Sequence, residues 1–163
     1  MSKIQETTLE INLNKLKHNF EFIKSNLHHR TKLLAVVKAF AYGSDANIIS
    51  NYLQNLDVDY FAVAYTHEGI QLRKAGIHKP ILVLHPQSVN FNALIDHCLE
   101  PCLYNFKILT EFLIVAKSVN QKEYPIHIKF NTGLNRLGFE ANAIDKITEL
   151  TNTHSTIKVT SIF

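Results

Sequence analysis

Short apolar runs and helical stripes alternate along nearly the whole chain. Candidate strands begin near Leu33, Tyr60, Ile81, Pro101, Ile126 and Ile157, and a helical pattern fills nearly every gap. After Ser44 the stripe is Ile49, Tyr52, Leu53 and Leu56, and after Asn90 it is Phe91, Leu94, Ile95 and Cys98. The caps fit the same rhythm. Asn14 is expected to cap a helix carrying Leu16, Phe20, Ile23 and Leu27, Thr66 one that Gly76 ends, and Asn105 one carrying Phe106, Leu109 and Leu113. Strands roughly twenty to thirty residues apart, each followed by a helix, must pair in parallel through right-handed crossovers. The pattern predicts α/β architecture.

Two ends depart from the repeat. Residues 7–13 alternate, with Leu9, Ile11 and Leu13 on one face, which predicts a strand with its other face exposed. Residues 156–163 read as a last strand with no helix after it, leaving an unpaired edge. No glycine-rich fingerprint follows the first β-strand, so a dinucleotide-binding open sheet has no support. A closed (β/α)8 barrel needs eight strands and about 250 residues. Spacing alone does not separate an open sheet from a barrel. About six parallel strands, ending on an open one, are expected to be part of a longer protein, and the partial TIM-type (β/α)8 barrel is what the resemblance given below implies.

Composition narrows the class of protein. The 163 residues, 46% hydrophobic, suffice for one globular domain with an ordinary core. Seventeen Lys and Arg against fourteen Asp and Glu give a net charge of only +3, scattered along the chain, so a nucleic-acid partner gains no support. No stretch approaches a membrane span, and Met1 to Glu6 lack the apolar core of a signal peptide, so the expected location is cytoplasmic. Cys98 and Cys102 are expected to be buried thiols. With His97 they do not make metal spacing, and no metal is expected.

Two stretches carry candidate chemistry. In Leu34-Ala35-Val36-Val37-Lys38-Ala39-Phe40-Ala41-Tyr42-Gly43-Ser44, a run suited to a strand buried on both faces ends on a lysine, with Gly43-Ser44 turning into a helix. Parallel barrels place their chemistry at that strand end, and an amine in apolar surroundings is freed for attack on carbonyls. The plainer alternative is a lysine reaching water along its own stem. Further on, Tyr124-Pro125-Ile126-His127-Ile128-Lys129-Phe130 alternates, with His127 and Lys129 opposite Ile126, Ile128 and Phe130. It runs into Asn131-Thr132-Gly133-Leu134-Asn135-Arg136-Leu137-Gly138, where two glycines bracket an arginine on a strand-to-helix loop. That loop is a candidate anion or phenolate site on the same rim as Lys38.

The first stretch, Val37 to Gly43, resembles the pyridoxal-phosphate attachment segment of bacterial alanine racemases, V-K-A-N-A-Y-G, with Phe40 in the asparagine position. The second is similar to the K-x-D-T-G-M-x-R-L-G segment of that family, with Asn131 and Leu134 in the aspartate and methionine positions. Their order and their separation of roughly ninety residues also match.

The resemblance implies an alanine-racemase-type, pyridoxal-phosphate-binding barrel over residues 14–163, lacking the rest of the barrel and a C-terminal β domain that would pair with the strand in residues 1–13. It makes Lys38 the catalytic residue and the covalent attachment point for pyridoxal 5'-phosphate. Tyr42 becomes a ligand of the cofactor phosphate, and Arg136 a ligand of its phenolic oxygen and of the substrate. Lys129 matches a position that is often carbamylated; two cations on one rim repel, and a carbamate there would give Arg136 an anion. The implied activity is interconversion of L- and D-alanine for peptidoglycan precursors by a homodimer whose second base is a tyrosine of the partner subunit. These residues alone are expected to be inactive. Alternatives are a pyridoxal-phosphate carrier or another enzyme of the same fold type, such as a decarboxylase.

Overall fold

The computed structural model describes residues 7–163. Its centre is a six-stranded sheet, β1 (Leu34–Val36), β2 (Tyr60–Val63), β3 (Ile81–Val83), β4 (Glu100–Leu103), β5 (Tyr124–Ile128) and β6 (Ile157–Ile162). Spatial order follows chain order and every pair is parallel, so β1 and β6 are the edges. α1 (Leu13–Ser25) precedes β1, and between the strands run α2 (Lys38–Gly43), α3 (Ala46–Asn55), α4 (Thr66–Lys74), α5 (Phe91–Asp96), α6 (Phe106–Ser118) and α7 (Ile144–Thr153). This is the expected partial barrel.

Each central strand is buried on both faces because helices cover one and the curved sheet encloses the other. Phe61, Val63, Ile81, Val83, Leu103, Ile126 and Ile128 face the helices and merge with Leu72, Phe91, Leu94, Leu109 and Phe112 into the main core. Ala62, Leu82, Cys102 and Tyr104 form a smaller cluster toward the barrel axis. The inner surface is not all apolar. Glu100 accepts hydrogen bonds from the Tyr60 hydroxyl and from His127 Nε2 at 2.7 Å, and His127 Nδ1 meets Ser161 Oγ at 2.7 Å. One carboxylate thus links three strands, and His127 extends the contacts to a fourth, in a place where an unpaired charge would be costly.

β1 is open where burial on both faces was expected. Leu34 and Val36 are exposed, as are Ile162 and Phe163 of the opposite edge, and they line a cavity of about 460 Å³ between the two edges. Residues 7–12 have no regular structure and Leu13 already belongs to α1, so the alternating segment forms no strand here: none of the six strands lies beside it to complete a ladder. Residues 1–6 of that expected strand lie outside the described residues.

Local signals were displaced by a residue or two. Asn12, not Asn14, caps α1, its side chain accepting from the Lys15 amide at 3.0 Å. Thr66 is the first residue of α4, and its buried hydroxyl has no hydrogen-bond partner; Glu68 does the capping. Asn105 caps α6 as expected, accepting from the Ile108 amide at 2.9 Å. Cys98 is exposed just past α5, while Cys102 is buried on β4. Arg73 was not singled out by the sequence, yet its guanidinium donates to the carbonyls of Ile77, Lys79, His97 and Cys98 and fixes the turn after α4 to that after α5.

Candidate functional site

Parallel pairing places the chain that follows every strand on one rim. There Lys38 after β1, Ala64 and Tyr65 after β2, His85 after β3, Lys129 after β5 and Phe163 after β6 surround a cavity of about 510 Å³, with Arg136 reaching it from the loop beyond β5. Three of the four residues marked by sequence therefore meet. Tyr42 does not line this cavity and is 68% exposed.

Lys38 is held by an unusual backbone. Ala39, Phe40, Ala41 and Tyr42 have φ between 51° and 57°, so α2 is a left-handed turn rather than the simple glycine turn the sequence suggested. For side chains with a Cβ this costs about 1–2 kcal/mol per residue, so the run must be held by its surroundings. Ala41 is buried and its amide donates to the Val37 carbonyl at 3.0 Å. The Ala39 amide donates to Glu68 Oε1 at 2.7 Å, while Glu68 Oε2 accepts from Ala64 at 2.7 Å and Tyr65 at 3.0 Å. Only then does Asp45 cap α3, accepting from the Ile48 amide at 2.9 Å.

The arginine loop is built on Asn131. Its Oδ1 accepts from the Asn135 amide at 3.0 Å and its Nδ2 donates to Asn135 Oδ1 and Glu140 Oε1, each at 2.9 Å. An aspartate could accept as Asn131 does, but it has no proton to donate to Glu140. The loop closes where Phe130 bridges Phe139, with Gly138 at φ +138°. A Cβ on Gly138 would lie 2.4 Å from the Asn131 nitrogen, so only glycine fits. Arg136 is exposed and makes no hydrogen bond or ion pair among the described residues, which leaves its fork of donors available.

Among the described residues the cavity wall has three cationic side chains and no Asp or Glu. Lys129 Nζ lies over the Phe163 ring, 5.1 Å from its centre, a cation–π contact. Behind it, burial pushes the Cys102 thiol up to about 12, with Lys129 pulling the other way. The Tyr104 hydroxyl contacts His85 Nδ1 at 3.0 Å and its ring stacks on the imidazole at a 5.6 Å centroid distance, while Tyr65 meets the other rim of His85 edge-on. Burial raises the Tyr104 pKa, with Cys102 adding to it, so the phenol keeps its proton for that contact. Sequence reasoning missed His85 and Glu68. The position of His85 directly after Ile81-Leu82-Val83-Leu84 could have found it. Glu68 has capping-box spacing from Tyr65, but an aromatic residue at that cap position hid it.

A lysine after the first strand, a lysine after the fifth and an arginine in the loop beyond it, facing one cavity on a parallel barrel rim, agree with comparison to known families. Residues 11–163 match the family model described as alanine racemase, N-terminal domain. The chain belongs to the alanine racemase family. It is 39% identical over 149 residues to an alanine racemase from Thermodesulfovibrio yellowstonii, covering 88% of this chain and 40% of the relative. With alanine racemase 2 from Clostridium acetobutylicum the identity is 38% over 156 residues, covering 94% and 39%. Among solved structures, alanine racemase from Clostridium difficile 630 superposes with a TM-score of 0.88 at 34% identity, over 94% of this chain and 40% of that one, and it is also known in complex with cycloserine. The chain thus spans about 40% of the length of these alanine racemases.

Proposed function

We propose that this chain is the cofactor-binding part of an alanine racemase that uses pyridoxal 5'-phosphate to interconvert L- and D-alanine. The observation that carries the reading is the convergence of Lys38, Lys129 and Arg136 on one cavity whose wall, among the described residues, has no Asp or Glu. The donor set fits the cofactor: an amine for its aldehyde and cations for its phenolate and phosphate. Lys38 would hold it covalently, Arg136 through its phenolic oxygen, and Tyr42 through its phosphate, for which Tyr42 must turn in from the exposed side of α2. When bound, the cofactor withdraws electrons from the α-carbon of an amino acid and makes its hydrogen acidic.

The protein's own residues do the remaining work. Lys38 Nζ, at the cavity wall, takes and returns the proton on one face of that carbon. Arg136 holds a carboxylate or phenolate by two parallel donors. Leu84, Leu134 and Leu137 make part of the wall apolar, which strengthens those charge contacts. A carbamate on Lys129 would place an anion beside Arg136 and exchange the Phe163 contact for an ion pair. The base for the other face, the homodimer that supplies it, the pairing of residues 1–13 with a C-terminal β domain, cytoplasmic location and use of D-alanine in peptidoglycan complete the reading. Among the described residues no helix is long and apolar enough to cross a membrane.

Titration with pyridoxal phosphate tests the reading. A visible absorption band is expected to form and saturate, to be absent in Lys38→Ala and to need about tenfold more cofactor in Arg136→Ala. A band of equal strength in Lys38→Ala would refute it. Loss of optical purity in L-alanine on adding this chain to a C-terminal partner fragment separates a racemase from a carrier that only binds.

A further inference from the structure

Glu68 takes no part in the site as the sequence marks it, and it does not line the cavity of Lys38. Its carboxylate nevertheless gathers three backbone amides from two loops of the rim. Oε1 takes the Ala39 amide, the first after Lys38, at 2.7 Å; Oε2 takes Ala64 at 2.7 Å and Tyr65 at 3.0 Å. Ala64 and Tyr65 line the Lys38 cavity, so one side chain fixes both the backbone that carries the lysine and the wall beside it. The turn it holds is the left-handed run Ala39 to Tyr42, which relaxes unless its neighbours determine it. Phe40 and Tyr42 are exposed and contribute little packing, which leaves Ala41 and the Glu68 contact as the restraints.

We infer that Glu68 is a positioning residue that sets the direction of the Lys38 side chain by bracing the left-handed turn against the loop after β2. Only a carboxylate suits this role. It is acceptor on both oxygens, whereas a glutamine would turn an NH2 group toward one of the amides and set donor against donor. The inference rests on Lys38 being the reactive amine, and its test does not need the cofactor.

Trace acetylation with acetic anhydride, read peptide by peptide by mass spectrometry, compares Lys38 with exposed lysines such as Lys74 and Lys107 in the same sample. In Glu68→Gln the turn relaxes and half-buried Lys38 is expected to label about tenfold faster, approaching the exposed lysines, whose rates stay fixed. Asp59→Asn is the matched control. It weakens another carboxylate-to-amide contact, Asp59 with the Leu33 amide at 2.8 Å before β1, and should leave the Lys38 ratio unchanged. Adding Phe40→Gly to Glu68→Gln removes part of the left-handed penalty at little loss of packing, since Phe40 is 70% exposed, and should return the ratio toward wild type. A general loss of stability would show none of this pattern. If Glu68→Gln does not fold, Glu68→Asp, which keeps the charge and shortens the reach, carries the same comparison. A Lys38 ratio within about twofold of wild type in folded Glu68→Gln overturns the inference. Failure of wild-type Lys38 to take up pyridoxal phosphate would instead defeat the proposed function and leave the labelling result standing.

Discussion

Cys102 sits on β4 at the inner face of the barrel, with burial raising its thiol from 9.0 to about 12. The folded chain therefore keeps a proton that the unfolded chain gives up. This contribution to stability is complete below about pH 9 and is lost as pH rises from 9 toward 12. Tyr104 shifts in the same direction through burial. Denaturant midpoints measured from pH 8 to 11 are expected to fall more steeply for the wild type than for Cys102→Ala; parallel curves would contradict the burial of a protonated thiol. Cys98, exposed, should react with a water-soluble thiol reagent at neutral pH while Cys102 reacts only on unfolding. By residue type alone a strand-end lysine and a loop arginine read as readily as solvated charges; Lys38, Lys129 and Arg136 were marked through the likeness of their segments to alanine racemases, and the fold brings all three to one cavity. The sequence marked both cysteines as buried, and no local signal distinguishes them; Cys98 is exposed where the chain leaves α5 with a positive φ.

Strands were the most readable elements, because runs such as Phe61-Ala62-Val63 must be buried on both faces. Turns were less so. A left-handed run of Ala39, Phe40, Ala41 and Tyr42 has no sequence signature apart from the glycine that follows it, and the carboxylate that accepts from its first amide lies 29 residues away. The β5–α7 loop was half legible: its glycines were marked, while the three contacts of Asn131 with Asn135 and Glu140 appear only once the loop is folded. Gly138→Ala places a Cβ against the Asn131 backbone at a strained φ, and it is expected to cost about 2–3 kcal/mol in denaturant unfolding. Gly133 meets nothing within 4 Å, and its alanine variant should cost less than Gly138→Ala. Equal costs would remove the steric account.

For the whole molecule, six parallel strands hold a rim where the chain after β1, β2, β3, β5 and β6 meets around one cavity, while the barrel stays open between β1 and β6. Parallel α/β architecture was read from spacing, whereas the choice of a barrel over an open sheet came from the likeness to alanine racemases. The openness was read only as a missing pair of strands, and its consequence, exposed Leu34, Val36 and Ile162 above the Glu100 and His127 contact, depends on how the sheet curves. The central claim is that Lys38 is the attachment point for the cofactor on that rim. Its most direct test is borohydride reduction of the chain after incubation with pyridoxal phosphate, followed by intact mass and peptide mapping. The account predicts a single reduced adduct on the peptide carrying Lys38 and none on that carrying Lys129. An adduct spread over surface lysines, or one confined to Lys129, would contradict it.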